Sequence, residues 1–196
     1  MKVFISGGSK NSKSLLAQQL AAQMRRPNTS LYYLATMVAS DIEDEVRIFR
    51  HQQERLGWGF QTIEASRDIL QVVKHCDPQG TFLLDSSTAL LANEMFAANG
   101  DVHADASLKL GVDLVELSRQ VSNIVFVSDD IYADTSRLDP ISESYRRGLA
   151  HVDRQLAATC DIVLEVCFGS VIAYRGKAQL DALLAQSLVS ESLVCA

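Results

Sequence analysis

The chain has one tryptophan, three prolines and four cysteines in 196 residues, and it nowhere runs for about eighteen residues without polar interruption. The missing apolar run excludes a transmembrane helix. The apolar stretch from Val3 to Ile5 is too short for a secretory signal, so a cytoplasmic location is the expectation. The cysteines (Cys76, Cys160, Cys167 and Cys195) form no C-x-x-C pair and have no histidine at zinc-ligand spacing, which leaves them as unpaired thiols. An excess of positive charge is also missing. A formal net charge of -6 and a pI near 5.2 lack the basic face that a general nucleic-acid binder needs, so the expected partners are small molecules and not nucleic acid. Internal repeats and low-complexity linkers are absent too. One domain spanning 1–196 is the expectation, with no strong signal in the tail beyond about residue 187.

What is present is a globular balance, 47% hydrophobic and 21% charged, enough to bury a sizeable core. Short β-rich runs at Val3–Ser6, Leu31–Ala35, Phe82–Asp85, Ile124–Ser128 and Ile162–Val166 alternate with helical periodicity over Lys13–Met24, Asp41–Leu56, Ala104–Val121 and Ser142–Ala158. Val171–Tyr174 adds an edge strand. Most of the strands are apolar throughout, which means cover on both faces and a parallel sheet in an α/β domain.

The first strand runs straight into Gly7-Gly8-Ser9-Lys10-Asn11-Ser12-Lys13-Ser14, and an amphipathic helix follows. A phosphate loop needs this context. Glycines let the backbone curl so that successive N–H groups face an anion, the helix N-terminus adds partial positive charge, Lys13 reaches the outer phosphates and Ser14 can ligate magnesium. The pattern G-x-x-x-x-G-K-[ST] is met except at Ser12, which stands in the place of the second glycine. If the backbone there takes a positive φ, its Cβ costs about 1 kcal/mol or more. The residues also fit a plain Gly-rich strand-to-helix turn with a serine N-cap.

On the second helix Ile42, Val46, Phe49 and Leu56 share one stripe, which marks the core-facing side. His51 lies opposite, flanked by Arg47 and Arg55 one turn away on either side, so the imidazole sits among guanidinium groups that can also hold phosphate oxygens. Taken alone the helix favours a surface histidine on a solvated, charged face. Asp85 ends an apolar strand where the crevice of an open α/β sheet lies; it reads either as a magnesium ligand or as the cap of a helix beginning near Ser86 or Ser87. Asp129 and Asp130 follow the next strand in the same manner.

Taken together the chain resembles the bifunctional adenosylcobinamide kinase and adenosylcobinamide-phosphate guanylyltransferase family of cobalamin biosynthesis. The landmarks that carry the resemblance come in the family's order: the loop opening at Gly7, Tyr33-Leu34-Ala35-Thr36, Arg47-Ile48 followed by His51, Thr62-Ile63-Glu64, Leu83-Leu84-Asp85 leading to Thr88 and Asn93, and the helix Gly148 to Ala158. The resemblance implies a three-layer P-loop NTPase-like (RecA-like) fold with a mainly parallel central sheet. It implies a kinase acting on the aminopropanol hydroxyl of adenosylcobinamide, with GTP or ATP and Mg2+, followed by GMP transfer from GTP through a guanylylated histidine, matched here by His51. Carried over by position, the nucleotide site comprises Gly7, Gly8, Ser9, Lys10, Asn11, Ser12, Lys13 and Ser14, then Ala35, Thr36 and Met37, then Gln52, Gln53, Glu54 and Arg55, with Glu64 and Asp85. His51 and Lys13 are the implied catalytic pair, Ser14 and Asp85 the implied metal ligands, a corrinoid the acceptor, and a homo-oligomer, a trimer, the assembly.

The chain departs from the family at Ser12 (glycine), Met37 (a small hydroxylic residue), Asp85 (glutamate) and across Ser128 to Asp134, where the family has Asn-Glu-Val-Gly and a Gly-rich loop ending in proline. Two other readings stay open on the residues. One is a descendant that binds nucleotide without turnover and serves as a regulatory or interaction subunit; the other is a P-loop kinase of another small hydroxyl compound.

Overall fold

The computed structural model describes residues 1–97, 99–132 and 137–194. Ala133 and Asp134, in the divergent segment after the fourth expected strand, lie outside the described residues, as does Cys195. Seven strands form one sheet in the order β3-β2-β4-β5-β1-β6-β7: β1 (Lys2–Gly7), β2 (Leu31–Ala35), β3 (Gln61–Glu64), β4 (Thr81–Asp85), β5 (Asn123–Asp129), β6 (Ile162–Cys167) and β7 (Ser170–Arg175). All neighbours are parallel except β6 and β7: the expected edge strand is there, and it pairs antiparallel.

The apolar runs become strands because both faces are covered. On one side Phe82, Leu84, Ile124 and Phe126 pack under α3 (Ile69–Val72), α4 (Ser87–Met95), α5 (Ala106–Gln120) and α6 (Pro140–Thr159). On the other, Val3, Ile5, Leu83, Val125 and Leu164 pack under α1 (Lys13–Met24) and α7 (Lys177–Val194). Each large side chain so buried contributes about 1.5–3 kcal/mol relative to exposure. The result is the three-layer α/β arrangement. The four-residue β3 was not expected as a strand: three of its residues are exposed and only Ile63 turns inward, so it has no apolar run to read. Nor was α7, although the backbone is helical from Lys177 to Val194, past the point where the sequence pattern fades.

Helix α2 (Ile42–Glu54) corrects an expectation. Its start is as read: Asp41 caps it by accepting from Asp44 N at 2.9 Å, with Glu43, Asp44 and Glu45 in the first turn against the helix dipole. Its apolar stripe, however, does not face the core. Ile42, Val46, Phe49 and Leu56 are 61–78% exposed, and no residue of the helix is buried. The periodicity identified which residues share a face. What covers that face is a matter of tertiary placement, and α2 stands off the sheet with its polar side turned to the carboxyl ends of the strands.

Candidate functional site

The loop after β1 is built by close packing. A Cβ at Gly7 would collide with the Asn11 side-chain amide and with the Val166 carbonyl, so only glycine fits, and Gly7 O accepts from Asp130 N at 2.9 Å. Asn11 closes the turn: its Nδ2 donates to Val166 O at 2.5 Å, and its Oδ1 accepts from Lys13 N at 3.2 Å, which satisfies one orphan donor of α1. Lys10 (φ 56°) and Ser12 (φ 67°) hold left-handed backbone, the pattern by which loops bring successive N–H groups onto one anion. Ser12 precedes α1 without any side-chain capping bond. It is therefore not the serine N-cap of an ordinary turn; it occupies a conformation that glycine takes freely.

Lys13 is buried, and its ammonium meets Asp129 Oδ1 at 2.6 Å and the Gly8 carbonyl at 3.0 Å. The register of β1 with β5 places Gly7 beside Asp129, which explains the pairing.

A cavity of about 410 Å³ opens over this loop, within the range of small-molecule sites. Ser9, Lys10, Asn11, Ser12, Lys13 and Ser14 form its floor, and α2 supplies Arg47, Arg50, His51, Gln52, Glu54 and the residue after it, Arg55. Ala35, Met37, Glu64 and Asp85 line it from the strand ends and the segments that follow them. The fold thus gathers the P-loop and His51, separated in sequence by nearly forty residues, around one space. Four positions carried over from the resemblance do not line it. Gly7 is buried beneath the loop, Gly8 and Gln53 are exposed, and Thr36 is fully buried, where its hydroxyl bonds Ser86 O and accepts from Ser86 N to tie β2 to β4.

Asp85 does not cap α4. Ser86 does so, accepting from Ala89 N at 3.2 Å, which leaves the Asp85 carboxylate facing the cavity with Oδ2 accepting from Tyr33 OH at 3.0 Å. Burial, then the Asp85 charge and hydrogen bond, hold the Tyr33 phenol well above its usual range, so it stays a donor. Arg55 lies 4.2 Å over the Tyr33 ring and donates to Thr62 Oγ1 at 3.1 Å, and it is buried rather than free on the helix surface. Arg47 is occupied by Glu43 and Asp44 at 3.6 and 3.5 Å. The direct partner of His51 is not a guanidinium: Nδ1 lies 3.1 Å from Glu54 Oε2.

The family model described as cobinamide kinase / cobinamide phosphate guanyltransferase matches residues 3–173. The chain belongs to that family. Membership places it among nucleotide-using transferases of cobalamin biosynthesis. A search of curated proteins finds no match. Among solved structures, a Pyrococcus horikoshii OT3 protein from a structural study shares the fold, with 7% identity over 90% of this chain and 86% of that one and a TM-score of 0.52. A KaiC-like protein from the same organism (12%, 90% and 80%, TM-score 0.47) and the flagellar accessory protein FlaH of Methanocaldococcus jannaschii (14%, 89% and 77%, TM-score 0.44) are more distant in shape.

In this member of the cobinamide kinase family the cavity residues missed from sequence include the polar Tyr33, Arg50 and Ser86 and the apolar Leu15 and Ile48, with Asp129 noted only weakly. Arg50 was within reach, because it sits four residues before Glu54 on the same helix. Tyr33 and Asp129 depend on strand register. Ser14 and Asp85 present a hydroxyl and a carboxylate to the same space, the hard oxygen donors that magnesium takes. Among the described residues no group of three His, Cys, Asp or Glu forms a self-sufficient metal cluster, and no helix is long and apolar enough to cross a membrane.

Proposed function

We propose that this chain transfers GMP from GTP to a cobinamide phosphate through a covalent intermediate on His51, and that the same cavity serves phosphorylation of the cobinamide hydroxyl. The observation that carries the reading is the placement of His51 and the Gly7–Ser14 loop around one cavity of about 410 Å³. The loop N–H groups and Lys13 hold the phosphates, and Arg50 and Arg55 add positive charge on the α2 side. Ser14 and Asp85 would hold Mg2+, whose charge would neutralise the leaving pyrophosphate. The His51 ring attacks the α-phosphorus, a nitrogen–phosphorus bond forms, and the bond from that phosphorus to the bridging oxygen breaks. The acceptor phosphate then displaces GMP, and the bonding pair returns to the ring.

The test is incubation with α-labelled GTP and magnesium. An acid-labile, alkali-stable label on the wild type that is missing from His51→Ala supports the reading, and a wild type that takes no label sinks it. Support for the corrinoid acceptor comes from family membership, and discharge of the labelled protein by cobinamide phosphate tests it directly.

A further inference from the structure

The geometry points to Glu54 as the positioning residue of His51, an inference that rests on the covalent reading above. The two side chains stand three apart on α2 and therefore share a face, and Nδ1 of the imidazole lies 3.1 Å from Oε2 of the carboxylate. The carboxylate is itself held. Its other oxygen, Oε1, is 3.5 Å from Arg50 Nε at the helical i,i+4 spacing. Arg50, Glu54 and His51 all line the cavity, so the chain guanidinium, carboxylate, imidazole runs along one face of the helix and ends at the site.

A carboxylate accepts and cannot donate, so Nδ1 must carry the proton for this bond to exist. That choice fixes the tautomer: Nε2 keeps its lone pair and is the nitrogen left for the α-phosphorus. The opposite tautomer, which predominates in free histidine side chains, would put the proton on Nε2 and leave Nδ1 facing a carboxylate with no hydrogen between them. When Nε2 bonds phosphorus and pyrophosphate departs, the ring becomes a cation with its remaining proton on Nδ1, and Glu54 supplies the counter-charge. When the acceptor oxygen takes the phosphorus, the pair returns to Nε2 and the proton is still on Nδ1, donated to Glu54, so the site is reset with no proton moved. The same logic of a base oriented by a carboxylate recurs wherever an imidazole must present one chosen nitrogen.

The experiment uses the full chain labelled with 15N-histidine. It has four histidines, so the His51 resonances are assigned by their loss in His51→Ala. With the ring neutral, wild type is expected to show the Nδ1–H tautomer. Glu54→Ala is expected to revert to Nε2–H. Glu54→Gln should keep Nδ1–H, because the amide oxygen still accepts. In single-turnover labelling at saturating α-labelled GTP, Glu54→Ala is expected to slow label uptake by about 10- to 100-fold, and Glu54→Gln to slow it less. A wild type in the Nε2–H form, or a tautomer unmoved by Glu54→Ala, overturns the assignment. Absence of label in the wild type overturns the covalent reading instead, and the tautomer measurement decides the Glu54 role in either case.

Discussion

Lys13 Nζ lies 2.6 Å from Asp129 Oδ1 and 3.0 Å from the Gly8 carbonyl, so the cation of the phosphate loop is engaged by the end of the neighbouring strand. Phosphate oxygens must exchange for that carboxylate, and their charge must tolerate it nearby. Asp129 is about one-third exposed, which screens the pair and limits its worth to about 1 kcal/mol. Asp129→Asn is therefore expected to tighten magnesium-free GTP binding by about three- to tenfold in calorimetry. Weaker binding would show that Asp129 assists the ligand through another contact.

Ser12 occupies φ 67°, a region where a side chain costs about 1–2 kcal/mol. Ser12→Gly relieves that strain and gives back about 0.4–1 kcal/mol through the freer unfolded chain. The net expectation is a gain of about 0.5–1 kcal/mol in unfolding free energy, together with tighter nucleotide binding, since the residue ends the loop that meets the phosphates. Ser12→Val should move stability the other way, because a β-branched side chain suits this backbone least. Equal stability of the three proteins would show that the loop relaxes around its side chain.

Asp153 on α6 is buried beside β5. Its Oδ2 accepts from Ser128 Oγ at 3.0 Å and from Tyr132 OH at 2.7 Å, while Oδ1 is buried with no hydrogen-bond partner. Burial pushes the carboxyl up to about 6, the two hydrogen bonds oppose this, and Asp129 and Asp130 add to it. A raised carboxyl favours the folded state when protonated, so its contribution is complete below the unfolded value of 3.8 and is lost as pH rises through about 6. A change of this size corresponds to about 3 kcal/mol. Asp153→Asn removes the titration, and its thermal midpoint relative to wild type should climb between pH 4 and pH 6.5, at about 2–4 °C per kcal/mol for a domain of this length. A difference that stays flat with pH would refute the assignment.

Much of this fold was legible because its central strands are apolar from end to end: Phe82 to Leu84 and Ile124 to Val127 could be read as doubly covered strands, and they are fully buried. Gln61 to Glu64 could not, since an edge strand that buries only one side chain has no signature. The phosphate loop was visible in its glycines and its Lys13-Ser14 end, and Glu54 beside His51 follows from helical spacing alone. The pairs Lys13 with Asp129 and Tyr33 with Asp85 were not visible, because the first joins the start of α1 to the end of β5 and the second joins β2 to β4, and both depend on a strand register that no local pattern encodes.

The same limit explains α2, and it yields the last expectation. Phe49 belongs to the most amphipathic stretch of the chain, yet it is 61% exposed. A side chain in that setting has little to lose on truncation, so Phe49→Gln is expected to change unfolding free energy by no more than about 0.5 kcal/mol, whereas a buried aromatic such as Phe126 would cost about 3–5 kcal/mol on truncation to alanine. Chemical denaturation of both variants at low protein concentration measures the contrast. A loss of about 2 kcal/mol or more at Phe49 would mean that the stripe is packed in solution and that α2 does not stand clear of the core. A neutral result would fix α2 as a helix held by its cap, its ion pairs and the cavity it borders, with its apolar stripe contributing nothing to the core.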